Sequence, residues 1–226
     1  MSLGNILDDA LAMEDAMRFM LIFAAVSIPL ASCAHKEEPI SSGSYDVVTS
    51  YSKRLPGKYL LYIDATTLNT TIRPRSVECA AHSFPIEGEN GFSGSIRATL
   101  ANVVETVEVV GEPIPADRLS ARGARGLIVV RSENADGRIK IEPNFWGAAI
   151  TSEIHIVATV TVDGAGGRLF GTTVEGIGRG DAPVGIMCSG GGISLQESTE
   201  KAIKDVVRKI GEGVANSDRV RGGKAS

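Results

Sequence analysis

Three cysteines, three histidines and one glycine triplet are the residues of this 226-residue chain whose types could carry chemistry. Cys79 and His82 stand three apart, and a thiolate beside an imidazole is the start of a covalent hydrolase. Such a pair needs a third group to orient the imidazole, and no motif supplies one. Cys33, Cys79 and Cys188 share no CxxC spacing and do not form a zinc ligand set. His35 and His155 have no second ligand at helical spacing. Ser189-Gly190-Gly191-Gly192 could offer backbone amides to an anion ahead of a helix, but it lacks the Lys-Ser/Thr of a P-loop. Arg179-Gly180-Asp181 reads as a turn. Phe145 and Trp146, the latter the only tryptophan, sit in Glu142–Trp146 between strands. They could cap the core's end or form an exposed aromatic anchor for a partner. Arg118, Arg122 and Arg125 fall in a connector, as a solvated loop or as contacts to lipid phosphate or a partner. No catalytic, metal or cofactor set emerges, so the expectation is a protein that is not an enzyme and binds no cofactor.

Composition narrows the partners. Residues 1–32 hold four acids and one base, so residues 33–226 carry 22 basic and 23 acidic residues. A balance so near neutral does not suit nucleic acid or a strongly anionic surface.

The N-terminal region carries the most specific signal. Phe19–Ala31 is a run of 13 uncharged, mostly apolar residues. It is shorter than the roughly 18–20 residues a membrane span needs, and it fits the apolar region of a secretory signal, about 7–15 residues long. Arg18 precedes it with the expected positive charge. Residues 1–16 are acidic, the wrong sign for a signal start, so the expectation is that the true start is Met17 and the leading residues are a misplaced start; a genuine extension is the alternative.

Leu30-Ala31-Ser32-Cys33 resembles the lipobox of bacterial lipoprotein precursors. That resemblance implies cleavage before Cys33 and lipid on Cys33. Two or more acyl chains on one residue hold a protein stably, where a single chain does so only marginally. Ala34, rather than Asp, follows the cysteine, which by likeness to enterobacterial lipoproteins implies the outer membrane, facing the periplasm. Residues 1–32 are then the signal peptide, 33–57 a lipidated cysteine with a flexible tether, 58–217 one periplasmic domain and 218–226 a disordered tail. An oxidising periplasm would join the two remaining cysteines, Cys79 and Cys188, as a disulfide. Two buried thiols, or one reactive cysteine, are the alternatives.

The elements that must position these residues follow from periodicity. Lys58–Ala65 reads as a strand apolar on both faces, so interior to a sheet. Ser95–Val110 reads as a helix with Ile96, Leu100, Val103, Val104 and Val107 on one face, although its valines lower helicity. Residues 126–143 read as a hairpin turning at Asn134–Gly137, and residues 151–180 as a second turning at Asp163–Gly167. In the second, Ile154, Val157 (with Ile156 beside it), Val160 and Val162 mark a long strand that does not alternate perfectly. The last helix opens with a Ser194/Glu197 capping box and carries the stripe Ile203, Val206, Val207, Ile210 and Val214. The sum is an α+β fold: an antiparallel or mixed sheet of about five strands with two helices packed on one face.

This order, over Lys58–Ala65, Ser95–Val110, Ile154–Thr172 and Ser194–Ala215, is similar to YajG-type envelope lipoproteins and to auxiliary lipoproteins of ABC-type transport systems. The likeness implies a structural or accessory role through other envelope proteins or self-association. A small-ligand-binding module is the main alternative, and a hydrolase a lesser one.

Overall fold

The computed structural model describes residues 35–46, 53–75, 79–144 and 147–222. All of them belong to the compact unit Ala34–Ser226. The fold is α+β, built on a five-stranded mixed sheet. In chain order its strands are β3 (Leu55–Asp64), β6 (Val104–Val109), β7 (Gly126–Asn144), β8 (Gly147–Gly164) and β9 (Gly167–Pro183). They lie in the order β6-β3-β7-β8-β9. β3 runs parallel to both neighbours, and β7, β8 and β9 form an antiparallel meander. A smaller sheet pairs β1 (His35–Lys36), β2 (Ile40–Ser41) and β4 (Asn69–Ile72) with β5 (His82–Glu87).

β3 is interior because both its faces are apolar. Tyr59 and Leu61 face the main core, Leu60 and Tyr62 a second, smaller one. The smaller core is closed by the connector after β6, where two 3-10 turns, Ala116–Arg118 and Ser120–Arg122, place Leu119 over Leu60 and Leu127. The main core lies between the sheet and two helices, α1 (Glu89–Val103) and α2 (Gly190–Asn216). On α2 the expected stripe of Ile203, Val206, Val207, Ile210 and Val214 is fully buried.

β8 alternates without a break: every even residue from Ile150 to Gly164 is buried. The imperfect alternation expected at Ile156-Val157 resolves to Ile156 on the buried side, because a pleat with period two admits only one of the neighbours. On β9 three successive buried positions, Gly176, Gly178 and Gly180, are glycines. A Cβ on Gly178 would strike the Ser198 carbonyl, and one on Gly180 the Ser194 carbonyl. Gly176-x-Gly178-x-Gly180 therefore lets the α2 backbone rest directly on the strand. This is why Arg179-Gly180-Asp181 lies in a strand, where a turn was expected.

Three other local expectations give way. Asn134–Gly137 is no turn: β7 is one strand of 19 residues with a bulge between Ser132 and Asn134. Gly137 belongs there because a Cβ would come within 2.7 Å of the tips of Ile72 and Ile154. The first helix ends at Val103, and the β-branched Val104–Val109 becomes the sheet edge beside β3. Ser194 is no N-cap, since α2 begins one turn earlier at Gly190. Its Oγ lies 2.9 Å from the Gly180 carbonyl and 2.7 Å from Ser152 Oγ, inside the core.

The segment read as a tether adds β1 and β2 to β5, and Ile40 is buried. The Tyr45 amide donates to Ser95 Oγ at 2.8 Å, and the Tyr45 ring sits under Lys204 Nζ. The segment read as a tail forms a short helix, α3 (Asp218–Gly222). Val220 is buried, and Arg125 holds the Val220 and Arg221 carbonyls.

Candidate functional site

Two regions gather groups with chemical character. The first is the pole where β1 meets β5. Cys79 and Cys188 form a disulfide there with Cα atoms 6.0 Å apart, both buried. Cys188 adopts φ 61°, a left-handed conformation that costs a non-glycine residue roughly 1–2 kcal/mol. The next residues start α2. A Cβ on Gly190 would hit the Pro183 carbonyl, and one on Gly191 the Phe84 ring. The glycine triplet is therefore packed against β5 and the end of β9. His82, expected in a loop, opens β5 with its Nδ1 2.8 Å from Glu37 Oε1 and its ring stacked on Phe84. With Cys79 oxidised, the thiolate that a Cys79–His82 pair would need is absent.

The second region is the face of the β7–β9 meander turned away from the helices. Register puts Arg138, Glu153 and Arg179 in one row, and Lys140, Thr151 and Asp181 in the next. Arg179 Nε donates to Glu153 Oε2 at 2.7 Å, and His155 Nε2 meets Glu153 Oε1 at 3.0 Å. His155 Nδ1 meets Glu175 Oε1 at 3.1 Å. The Arg179 and His155 hydrogen bonds hold the Glu153 carboxyl down to about 2. The bonds to Glu153 and Glu175 raise His155 above the usual imidazole value. The imidazole is thus held between two carboxylates, with both ring nitrogens engaged. The network borders an open cleft of about 350 Å³ lined also by Arg138, Lys140, Glu142 and Asp181. Three cations and three anions share that cleft, so it presents mixed charge rather than one sign.

The free edge of β9 is guarded from α2. Lys209 Nζ and Lys201 Nζ donate to the Glu175 and Arg179 carbonyls at 2.6 and 2.9 Å. The Asp181 amide donates to Glu197 at 3.3 Å. Such capping keeps a long edge strand from pairing with another chain.

Cys33, Phe145 and Trp146 lie outside the described residues. Arg125 is structural, and Arg122 reaches Glu108 at 3.9 Å. The charged network escaped the sequence reading because it depends on cross-strand register. The alternation of Glu153 and His155 along β8 was its only local trace. Among the described residues, no group of three or more His, Cys, Asp or Glu side chains could hold a metal. Among them too, no helix is long and apolar enough to cross a membrane.

No protein-family model matches the chain, and no curated protein matches it in sequence. Among solved structures it is similar to a Xanthomonas campestris protein of the family DUF330, at 8% identity and TM-score 0.49, over 82% of this chain and 99% of that one. It is also similar to a Helicobacter pylori protein described as a homolog of neuraminyllactose-binding hemagglutinin, at 10% identity and TM-score 0.47, over 80% and 96%. A third likeness is to a minor lipoprotein from Acinetobacter baumannii, at 10% identity and TM-score 0.33, over 67% and 87%. These are distant likenesses, and no functional residue is transferred from them.

Proposed function

We propose that the protein is a lipid-anchored accessory component of the bacterial envelope, held at the outer membrane through Cys33, whose periplasmic domain works through protein–protein contact rather than catalysis. The observation that carries this reading is the division of its cysteines. Cys79 and Cys188 are joined across the domain, as suits an oxidising compartment. That leaves Cys33, the cysteine of the lipobox-like Leu30–Cys33, for lipid. The mixed-charge face of the meander suits a protein partner, and its rigid strands fix the charges in rows.

A small-ligand module finds less support. The apolar crevice between the two sheets, lined by Leu68, Ile72, Ile86, Ile154 and Ile203, holds about 10 Å³. That is close to the minimum for one water. The test of the anchor is Cys33→Ser. The wild-type chain is expected to stay with membranes after a high-salt wash and the variant to move to the soluble fraction. Equal pelleting of both would refute it.

A further inference from the structure

The pole that carries the disulfide exposes two large apolar side chains. Ile186, in the 3-10 turn Ile186–Cys188, is 86% exposed, and Ile193, in the first turn of α2, is 64% exposed. They are the two most exposed large hydrophobic residues among those described. Ile193 lines an open cleft together with Glu37, Pro39 and Ile40 of the N-terminal segment. Ile186 stands two residues before Cys188, which ties its turn to Cys79 and so to the start of β5.

The chain enters the domain at this same pole. His35 pairs with His82, and Lys36 with Ser83. Cys33 is only two residues from His35, a reach of at most about 7 Å of extended chain. Because β1 is paired rather than free, an anchor on Cys33 cannot leave this end of the domain far from the lipid. Cations stand here too. Ile72 pairs antiparallel with Phe84, so Arg73 and Arg75 continue toward the His82 end of β5. Lys36, Arg73 and Arg75 are exposed and have no partner among the described residues. Glu38 opposes them, while Glu37 is engaged with His82.

We infer that this pole is the membrane-facing surface of the domain: Ile186 and Ile193 enter the interface of the bilayer that holds Cys33, and Lys36, Arg73 and Arg75 meet lipid phosphates. The inference rests on the lipid-anchor reading above. Apolar side chains flanked by cations are the composition that seats in an interface. The domain would therefore sit with fixed orientation, its β7–β9 meander pointing its charged rows at whatever shares the periplasm.

The test uses the full chain, taken lipidated from its membrane and reconstituted in vesicles of phosphatidylethanolamine with a minority of phosphatidylglycerol. Ile186→Cys, Ile193→Cys and Ile177→Cys are labelled singly with an environment-sensitive fluorophore. Selective labelling is possible because Cys79 and Cys188 are oxidised and Cys33 is lipidated. Ile177 is exposed on the charged face of the meander, in register with His155. Labels at positions 186 and 193 should shift to the blue and lose roughly half their emission to nitroxide-bearing lipids, as interfacial segments sit about 5–10 Å into the headgroup boundary. The label at 177 should not respond. Lipidated, vesicle-bound protein with no quenching at 186 and 193, or with equal quenching at 177, overturns the inference and leaves the anchor standing. A blue shift without lipid quenching would mean a protein covers the pole, and also overturns it. A chain whose mass shows no lipid on Cys33 overturns the anchor reading and this inference together.

Discussion

Reducing the Cys79–Cys188 bridge is the perturbation whose size is best worked from the structure. The two cysteines are 109 residues apart. Closing a loop of that length in the unfolded chain removes entropy worth about 4.8 kcal/mol at room temperature in the chain-entropy model, with about 2–4 kcal/mol usually realised. For a domain of this size each kcal/mol moves the melting temperature by about 2–4 °C. Reduction, or the double variant Cys79→Ala/Cys188→Ala, should lower the melting temperature by roughly 5–15 °C. The assay is thermal unfolding followed by circular dichroism, with thiol counting to establish the redox state. Both sulfurs are buried, so labelling before unfolding should find neither. Coincident melting curves for the bridged and verified reduced proteins would refute the reasoning, because no denatured-state constraint would then have been lost.

Three further outcomes follow from the packing and the charged face. Gly178→Ala should destabilise by about 1–3 kcal/mol in urea unfolding, because the new methyl meets the Ser198 carbonyl and comes within 2.6 Å of the Ala202 amide nitrogen; Ile177→Ala, one residue away and exposed, should change stability by less than about 0.5 kcal/mol. Ile210→Ala, at a fully buried α2 position, should cost about 2–5 kcal/mol by the same assay. The third is a pH effect. His155 titrates higher in the folded state than in the unfolded, so its contribution is complete below about pH 6.5 and is lost as pH rises through the folded value. His155→Gln should therefore flatten the stability difference between mildly acidic and alkaline solution by no more than about 1 kcal/mol, the scale of solvent-exposed pairs, and added salt should shrink the effect. A variant with unchanged pH dependence would remove His155 from that account.

What was legible in the sequence is what depends on one uninterrupted pattern. β3, the α2 stripe and the Asp163–Gly167 turn each announce themselves through neighbours a few residues apart. The failures occur where distant packing overrules a local signal. Asn134–Gly137 has turn chemistry, yet pairing with β8 on both sides and the tight fit of Gly137 under Ile72 and Ile154 keep it extended. Val104 and Val107 continue a helical spacing, but the free edge of β3 captures them as a strand. The glycines of β9 look permissive in sequence, whereas in the fold they form the seat of a helix. β1 and β2 are two residues each, too short to carry any period. Of the candidate sites, the cysteine pair was accessible once the lipobox-like stretch had been assigned. The Arg179–Glu153–His155–Glu175 network was not, since it exists only after three strands have been set in register.

The most direct test of the central claim is the intact mass and N-terminal peptide of the protein taken from its native membrane. The account predicts a chain that begins at Cys33 and carries diacylglycerol on that residue, with a further acyl group on its amine. A chain that retains residues 17–32 with an unmodified Cys33 would contradict it, and the periplasmic assignment would fall with the anchor.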